Sequence, residues 1–509
     1  MPRKPSPTAI LAVVAFGVFV AADDLTVVST MLRQIVFDLE IPLPEGLDQA
    51  AWIVNVYLIA YVVVMPFVGR LSDMIGRRAV YVSALVLFLI GSIWVPLAGS
   101  FNSFLVGRVL TAVGGGAMVP VAMAVVGDVY RQEKRASALG TLGAIDTAGW
   151  VWGPLYGALL IRFLSWQWQF YLNVPLALIG IAAAWWALAD LPRPAHKERM
   201  DWWGVVTLSI ALLTLNLALL NSGDVGSAGG FASLNAHPPA PTWPYFLAAA
   251  LSFALFLFIE TRRKHSPVHP LIPLSLFRRR NFSTAVAINF LTGSVLIIAM
   301  VNVPLIINVL AVDVEEAALI SGGLLSGMTL AMALLAYAGG RLTERWSYRP
   351  VTLVGLWLCA LAFNWMGNWQ ATAVGDHTPY TQMAWQLVVL GMGFGLVIAP
   401  VGTAVINAAP DDQRGIASSL VIVMRLIGMS VGLSGLTAFG LRRFEVLRTQ
   451  ITLPDLPLSD PAYQQAIIDA LTSVTVAVLA ETFLISTFLA ALAWLIALTL
   501  KQEAEIKDQ

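Results

Sequence analysis

Long apolar stretches recur from one end of the chain to the other, separated by short polar connections. Most run for roughly twenty residues or more, the length that an α-helix needs to cross a hydrocarbon core about 30 Å thick. The first is far longer than a signal-peptide core, so we interpret it as a spanning helix. The pattern predicts fourteen spanning helices, near residues 8–36, 49–68, 79–98, 102–128, 136–161, 168–190, 203–221, 243–262, 281–309, 316–339, 350–369, 382–408, 413–450 and 462–500.

Most of the Lys and Arg residues between the predicted helices fall in alternate connections. Since such residues concentrate in cytoplasmic loops, we expect these connections and both termini in the cytoplasm. Connections 38–49, 221–243 and 367–381 contain no Lys or Arg and are expected on the other side. The basic residues concerned are Arg70, Arg77, Arg78, Arg131, Lys134, Arg135, Arg193, Lys197, Arg199, Arg262, Arg263, Lys264, Arg278, Arg279, Arg280, Arg341, Arg345, Arg349 and Arg414.

The composition is that of a membrane protein. Apolar residues make up 58% of the chain and charged residues 12%, against about 45–50% and 25% in soluble domains. The formal net charge is zero, and nothing indicates a nucleic-acid partner. Cys359 is the only cysteine, which excludes an internal disulfide and a cysteine-based metal site. All five His residues lie in or beside predicted loops, so no metal or cofactor is expected.

Two parts of the chain repeat each other. Gly69-Arg-Leu-Ser-Asp is matched by Gly340-Arg-Leu-Thr-Glu at an offset of 271. At an offset of 279 or 280, further matches are Pro120 with Pro400, Arg135 with Arg414, Gly149 with Gly428 and Gly153 with Gly432. Such repeats are typical of transporters built from duplicated bundles. We therefore expect an all-α polytopic membrane protein, with six-helix bundles in 1–192 and 280–509 and a linker with two inserted helices in 193–279.

Several short motifs resemble those of the major facilitator superfamily. The first predicted helix contains Asp24-Leu-Thr-Val-Val, similar to fourteen-helix drug:proton antiporters. Gly415-Ile-Ala-Ser-Ser and Tyr463-Gln-Gln-Ala resemble the mycobacterial triacylglyceride and multidrug exporters, although Thr111 and Ala112 replace the usual Gln-Gly pair of the fourth helix. The signature loop after the second helix comprises Gly69, Arg70, Asp73, Gly76, Arg77 and Arg78. The fifth helix carries an exporter motif with Gly149, Gly153, Pro154 and Gly157.

The resemblance implies a major facilitator fold and proton-coupled export of lipids or lipophilic compounds by alternating access in a bacterial inner membrane. The expected partners are the lipophilic substrate, protons, membrane lipids and a periplasmic lipid-carrier lipoprotein. A polyspecific drug:proton antiporter is the alternative, which Asp24, Asp146 and Glu481 permit. A membrane enzyme or a sensor is a third hypothesis, but the sequence shows neither a catalytic motif nor a large soluble segment.

Each motif has a physical reading. The signature loop is expected to latch the state closed to the cytoplasm, with Asp73 accepting hydrogen bonds from backbone amides at a helix N-terminus; securing topology is the alternative. Gly149, Gly153 and Gly157 share one helix face, which lets another backbone approach closely. Pro154 is expected to bend this helix. Plain packing is the alternative role for the whole motif.

Few ionisable side chains fall inside the predicted helices, where each costs about 2.5–3.5 kcal/mol. Asp24 and Arg108 can reach similar depth, so we interpret Asp24 as the proton-carrying carboxylate and Arg108 as its tuning cation. A permanent ion pair is the alternative. Asp23 points about 100° away from Asp24 and is expected only to line water. Glu481 is either a second proton site or part of a polar patch.

Asp146 and Arg425 occupy equivalent positions in the two repeats, at the offset of 279. The pseudo-twofold relation should place them at one depth, and a buried charge requires an opposite charge. We expect a salt bridge across the central cleft that closes the cytoplasmic side. In the alternative, each residue pairs within its own bundle.

The last two predicted helices are unusually long, about 57 and 58 Å by helical rise. The surplus is expected to project outward as an antiparallel pair, with Leu441 and Phe444 facing Tyr463 and Ile467. Arg443 would then stand clear of the membrane. Such a projection could guide a lipid or dock a carrier protein, or it is a purely structural hairpin.

Overall fold

A computed structural model describes residues 5–41, 47–191, 200–222, 242–262, 270–310, 314–370, 378–451 and 461–501. Within these residues the secondary structure is helical throughout, in fourteen α-helices and a few short 3-10 turns. The helices are α1 (Pro7–Asp38), α2 (Leu47–Ile75), α3 (Arg77–Trp94), α4 (Phe101–Val129), α5 (Gln132–Phe163), α6 (Gln167–Ala187), α7 (Trp202–Ser222), α8 (Trp243–Arg262), α9 (Arg280–Leu310), α10 (Val314–Trp346), α11 (Tyr348–Met366), α12 (Thr378–Ala408), α13 (Arg414–Arg448) and α14 (Pro461–Ala497).

Each predicted span corresponds to one helix, so the all-α polytopic fold is confirmed. Thirteen of the helices are long and apolar enough to cross a membrane by length and composition. The other helix is α5, whose Gly, Thr and Trp residues, together with Asp146, lower its mean hydropathy. Of these residues, Asp146 faces Arg425 inside the protein rather than lipid.

The connection between α2 and α3 differs from the predicted loop. The signature residues Gly69 to Asp73 lie inside α2, which continues to Ile75, and α3 begins at Arg77. Only Gly76 separates the two helices, and its φ of 98° is a conformation that L-residues rarely adopt. The prediction of a loop from Gly69 to Arg78 was wrong, because one glycine suffices to reverse the chain. The signature is a helix end that presents its side chains on a rigid face.

The helices α1–α6 form the first half of the molecule, and α9–α14 form the second half. Their apolar core shows where the halves meet. We call the end that carries Arg77, Arg135 and Arg414 the basic end. There, one hydrophobic cluster includes residues of both halves, such as Val125 and Val405. At the opposite end, each half has a separate cluster. The halves are therefore packed together at the basic end. At the opposite end, no hydrophobic cluster of the described residues includes both halves.

The inserted helix α7 lies across one seam between the halves. The ring of Trp202 lies 5.9 Å from that of Phe67 in α2. Farther along, the Ser434 hydroxyl of α13 donates to the Leu219 carbonyl oxygen at 2.8 Å. Thus α7 contacts one helix of each half, while α8 packs on α7 and exposes large apolar side chains such as Phe258.

Candidate functional site

The first half contains a buried polar cluster around Asp24. The Arg108 guanidinium of α4 donates to Asp24 Oδ2 at 3.0 Å, and both side chains are almost fully buried. The amide nitrogen of Asn173 in α6 donates to Asp24 Oδ1 at 3.3 Å. The guanidinium also lies 4.3 Å from the centre of the Tyr57 ring. Asp24 is thus held by a charge-assisted hydrogen bond and an amide, and Arg108 by a carboxylate and an aromatic face.

Asp23 belongs to the same cluster, which corrects its predicted role. We expected it to line water, but it is only 6% exposed. Its Oδ2 accepts from the amide nitrogen of Gln169 in α6 at 2.9 Å. The expectation failed because α6 packs against α1 and covers this face, which a helical wheel of α1 alone does not show.

The glycines of the α5 motif hold α1 in place. A Cβ added to Gly149 would lie 2.8 Å from the Phe19 carbonyl oxygen, and one added to Gly153 would lie 3.0 Å from that of Asp23. At Gly157 the distance to the Val27 carbonyl oxygen would be 3.2 Å. The backbone that approaches this face is therefore α1, with its two carboxyl groups. The side chain of Pro154 lies outside the described residues.

The second half repeats this packing without the charges. Gly428 and Gly432 of α13 approach the carbonyl oxygens of Phe290 and Ser294 in α9. Comparison with Phe19 and Asp23 gives a register of 271 between α1 and α9. The residues equivalent to Asp23 and Asp24 are then Ser294 and Val295. The carboxyl groups of the buried cluster therefore belong to one half only, although the backbone packing is shared.

Asp146 and Arg425 face each other between the halves. Arg425 Nη2 lies 3.6 Å from Asp146 Oδ2, and each side chain is about one-seventh exposed. The pair separates two cavities that both residues line. The bridge therefore forms a partition in the middle of the molecule.

The two cavities lie on opposite sides of this partition and are lined mainly by apolar residues. The first, towards the opposite end, is lined by Trp150, Leu296, Met300, Thr329 and Met332, among others. The second, towards the basic end, is lined by Val18, Met123, Leu142, Asn289, Ile398 and Val421, among others. Asp146 and Arg425 are the only charged residues that line either one among the described residues. Their charges compensate each other.

The basic end is closed by contacts between α2 and α13. Asp73 accepts from the backbone amides of Gly415 and Ile416 at 2.9 and 3.1 Å, at the N-terminus of α13. Arg77 pairs with Asp73 at 2.5 Å. The helix dipole and the unpaired amides of a first turn both favour a carboxylate there. The helix N-terminus expected to meet Asp73 therefore comes from the other half of the molecule.

Two more groups strengthen this closure. Asp128 at the end of α4 accepts from Arg77 at 3.0 Å and from Arg414 of the other half at 3.2 Å. Arg135 of α5 donates to the Gly127 carbonyl oxygen at 2.9 Å and to the Asn407 side chain across the interface. The other two arginines of the signature are Arg70 and Arg78. Arg70 is buried, and the Arg78 guanidinium lies 4.1 Å from the centre of the Trp185 ring.

Comparisons with known proteins identify the family. The sequence profile described as Major Facilitator Superfamily matches residues 14–433. The chain belongs to the major facilitator superfamily. The triacylglyceride transporter of Mycolicibacterium hassiacum is 32% identical over 91% of this chain and 85% of its own length. A triacylglyceride transporter of Mycobacterium tuberculosis is 33% identical, over 84% and 82%. The chain is accordingly a multi-pass transporter of a bacterial membrane.

Solved structures of the superfamily show the same fold at low identity. The proton:xylose symporter XylE has a TM-score of 0.63 and 13% identity, with 97% of this chain and 96% of that chain covered. The human organic anion transporter MFSD10 has a TM-score of 0.59 and 15% identity, with 96% and 100% covered. These likenesses show the same fold over nearly the whole chain.

Glu481 lies apart from the Asp24 cluster and has a different partner. Arg443 of α13 makes a bidentate contact with it, at 2.8 and 2.9 Å. Next to it, a Cβ on Gly440 would lie 3.6 Å from Val478. The described α13–α14 contacts here lie nearer the middle of α14 than the predicted partners Tyr463 and Ile467. That Arg443 stands clear of the membrane stays a prediction. Residues 452–460 lie outside the described residues.

Sequence reasoning missed several residues of this superfamily site. Tyr57, Gln169 and Asn173 complete the Asp24 cluster, and Asp128 links the two halves at the basic end. Tyr57, Gln169 and Asn173 are uncharged, so the pattern of charges inside spans does not indicate them. Gln169 and Asn173 are four residues apart in an otherwise apolar helix, so they share one face. That spacing of uncharged polar residues was the available signal.

We expect Gly415→Ala to hold the basic end open. A Cβ at this position would collide with the Gly69 carbonyl oxygen, and one at Gly69 would lie 2.5 Å from that of Gly415. Because both obstacles are backbone atoms, the helices must separate. Alkylation of a cysteine placed in the cavity on the basic side should become faster. Gly322→Ala is the matched control, since nothing lies within 4 Å of a Cβ there. Equal rates in both variants would contradict this close-contact role.

Proposed function

We propose that this protein is a proton-coupled exporter of uncharged lipophilic molecules, with triacylglycerides as the favoured substrate class, and that it works by alternating access. The observation that carries the proposal is the pair of cavities divided by Asp146 and Arg425. Their lining is largely apolar and includes the methionines Met123, Met300 and Met332, which adapt to irregular apolar shapes. The names of the mycobacterial relatives support the same class.

The charges in the cavities favour a neutral substrate over a cation. A cationic drug would gain most from an acidic residue without a cation beside it. Here Asp146 lies 3.6 Å from Arg425. Binding of a cation would have to compete with that guanidinium. The second candidate, a polyspecific drug:proton antiporter, is favoured by Trp150, which lines the same cavity as Asp146 and could stack on a cation.

Proton coupling is assigned to Asp24 with Arg108, outside the two cavities. A physical link joins this pair to Asp146. Arg108 stacks on Tyr57, and the Tyr57 ring lies 5.7 Å from that of Tyr61, one helical turn along α2. Tyr61 in turn lies within electrostatic range of Asp146. A change of charge at Asp24 can therefore shift α2 against the bridge.

The proposed orientation follows the basic residues. With the basic end and both termini in the cytoplasm, the contacts of Asp73 with α13 close the cytoplasmic side. The structure then corresponds to the state closed to the cytoplasm, in which substrate is released outward. We also propose the domain division 1–192, 193–279 and 280–509, with the α7–α8 linker covering the seam between α2 and α13.

Reconstitution tests the proposed function directly. Vesicles containing the protein should move a labelled triacylglyceride when a proton gradient is applied and stop when the gradient is collapsed. A cationic dye should move much less. Dye transport that exceeds lipid transport would favour the antiporter. Lipid transport that ignores the gradient would refute proton coupling.

The ends of α13 and α14 provide a test of the lipid substrate. Their 35 and 37 residues correspond to about 52 and 56 Å, against a hydrocarbon core of about 30 Å. A lipid that leaves the membrane can use such an extension as an apolar guide or as a docking post for a lipid-carrier lipoprotein. We expect deletion of residues 446–468, closed by a short linker, to reduce lipid export severalfold more than dye efflux.

The deletion spares Arg443 and Glu481, so the contact between the two helices is retained. Lipid export with and without an acceptor lipoprotein, and dye efflux from the same vesicles, are the measurements. Equal loss of both activities, or loss of neither, would count against a lipid-specific role for the extension.

A further inference from the structure

Two neighbouring carboxyl groups share one buried pocket but have different surroundings. Asp24 is bound by the Arg108 guanidinium at 3.0 Å and by the Asn173 amide at 3.3 Å. The carboxyl group of Asp23 accepts from the Gln169 amide, at 2.9 Å. Its second oxygen, Oδ1, is buried and has no hydrogen-bond partner among the described residues. Asp23 and Asp24 are 6% and 0% exposed, so bulk water solvates neither.

The charged and titratable groups around Asp23 and Asp24 come from several helices. Asp24 is next to Asp23 on α1, and α2 and α4 contribute Tyr57 and Arg108, which interact with Asp24. From α5, Tyr156 lies within electrostatic range of Asp23, while α6 contributes only amides. The pocket therefore holds two carboxyl groups and one cation. That cation is already in contact with Asp24.

An ionised Asp23 would be a second negative charge without a cation of its own. Two carboxylates that share a site resist double ionisation, and burial disfavours an uncompensated charge further. An amide donor stabilises a carboxylate far less than a guanidinium does. One carboxyl group of the pair must therefore be neutral, and the one that lacks the guanidinium is the better candidate.

We propose that Asp23 carries the exchangeable proton in this conformation, on Oδ1, while Asp24 stays ionised against Arg108. The proton leaves Asp23 to water when this face of α1 opens, and Asp23 then becomes a carboxylate. This inference rests on the proposed proton coupling and changes where the proton resides. In this conformation Arg108 is already compensated by Asp24, so Asp23 keeps its proton until water reaches it.

The position of Asp23 connects its charge to the Asp146–Arg425 bridge. Its carbonyl oxygen lies against Gly153 and its amide nitrogen against Gly149, on the α5 face that packs on α1. Asp146 lies three residues before Gly149 on the same helix. Ionisation of Asp23 at this contact would loosen the packing of α1 on α5, and α5 carries one partner of the central bridge.

Infrared spectroscopy of the purified, lipid-reconstituted full chain tests this assignment without any transport measurement. A protonated carboxyl group gives a carbonyl-stretching band that a carboxylate lacks. We expect that band at neutral pH in the wild-type protein, its loss in Asp23→Asn, and its retention in Asp190→Asn, an exposed control. Absence of the band in the wild type, or its persistence in Asp23→Asn, would overturn the proposal.

A second variant keeps the test decisive if Asp23→Asn does not fold. Gln169→Leu removes the amide that binds Asp23, so the band should shift to higher frequency rather than disappear. An unshifted band in Gln169→Leu would place the proton on another residue. If the band behaves as expected but lipid transport is equally fast with and without a proton gradient, the proposed proton coupling is wrong and the protonation of Asp23 is still supported. If transport is coupled to the gradient but the band persists unchanged in Asp23→Asn, only this inference fails.

Discussion

Asp24→Asn is expected to reduce proton-gradient-driven lipid export to the level of vesicles without protein. The substitution removes the carboxylate that holds Arg108 at 3.0 Å. Among the described residues of this cluster, Asp23 is then the remaining carboxyl group beside the buried guanidinium. It must then stay ionised to compensate Arg108 and can no longer exchange a proton. Coupling is lost, whereas the fold and substrate binding are largely retained.

The measurement is the initial rate of labelled lipid export with and without a proton gradient, with Asp190→Asn as the exposed control. The double variant Asp23→Asn/Asp24→Asn extends the test to stability. It leaves Arg108 without a counter-charge, and loss of one partner from a buried ion pair costs about 3–5 kcal/mol. Its thermal midpoint should fall well below that of either single variant. Wild-type export by Asp24→Asn would rule out its coupling role.

Neutralising the central bridge should open the molecule at the basic end. Asp146→Asn or Arg425→Gln leaves an unpaired charge between two apolar cavities. Such a charge is better solvated when water reaches it from the basic side, so both variants should favour the state open there. Coupling between contacting residues amounts to about 0.5–3 kcal/mol. An energy of about 1.4 kcal/mol would change the population ratio about tenfold.

The lone cysteine makes this measurement simple. Cys359→Ala gives a background without cysteine, and Gly402→Cys places a probe in the cavity on the basic side, where the nearest atom to a Cβ is Met123 Cε at 3.4 Å. Alkylation of this probe should be faster in both single variants. The charge-swapped protein should recover part of the wild-type rate, and Thr147→Val, which alters a neutral residue lining the other cavity, should not change it.

A double-mutant cycle on the alkylation rates gives the coupling energy of the bridge. Additive effects of Asp146→Asn and Arg425→Gln would show that the two side chains act independently, and the gate would have to be sought elsewhere. Non-additive effects of the expected size would support the bridge as part of the gate between the cavities.

Many elements of this fold could be predicted from the sequence because the membrane imposes simple rules. A helix that meets lipid must be apolar over its whole crossing, so its length and limits are visible in the chain. The predicted span 102–128 and the observed α4, Phe101–Val129, agree within one residue at each end. The offset of 279 between the two repeats likewise pairs Asp146 with Arg425, whose side chains lie 3.6 Å apart.

The candidate site was less visible, because its contacts join helices far apart in the sequence. Nothing local indicates that Gln169 binds Asp23 or that Asp128 joins Arg77 to Arg414. Glu481 illustrates the same limit. Its partner Arg443 lies on another helix, and the length of α13 shows how far that helix can reach but not the angle at which it crosses α14.

The sequence by itself determined the number of helices, the place of each along the chain, the duplication and the segregation of basic residues, because each depends on hydrophobicity and charge read along one helix. Tertiary structure decided which polar groups share a pocket, which carboxyl group receives the one cation, and which end of the molecule is closed. Those properties depend on the relative rotation and crossing of packed helices. Close contacts such as Gly149 against Phe19 set that geometry, and no single segment encodes it.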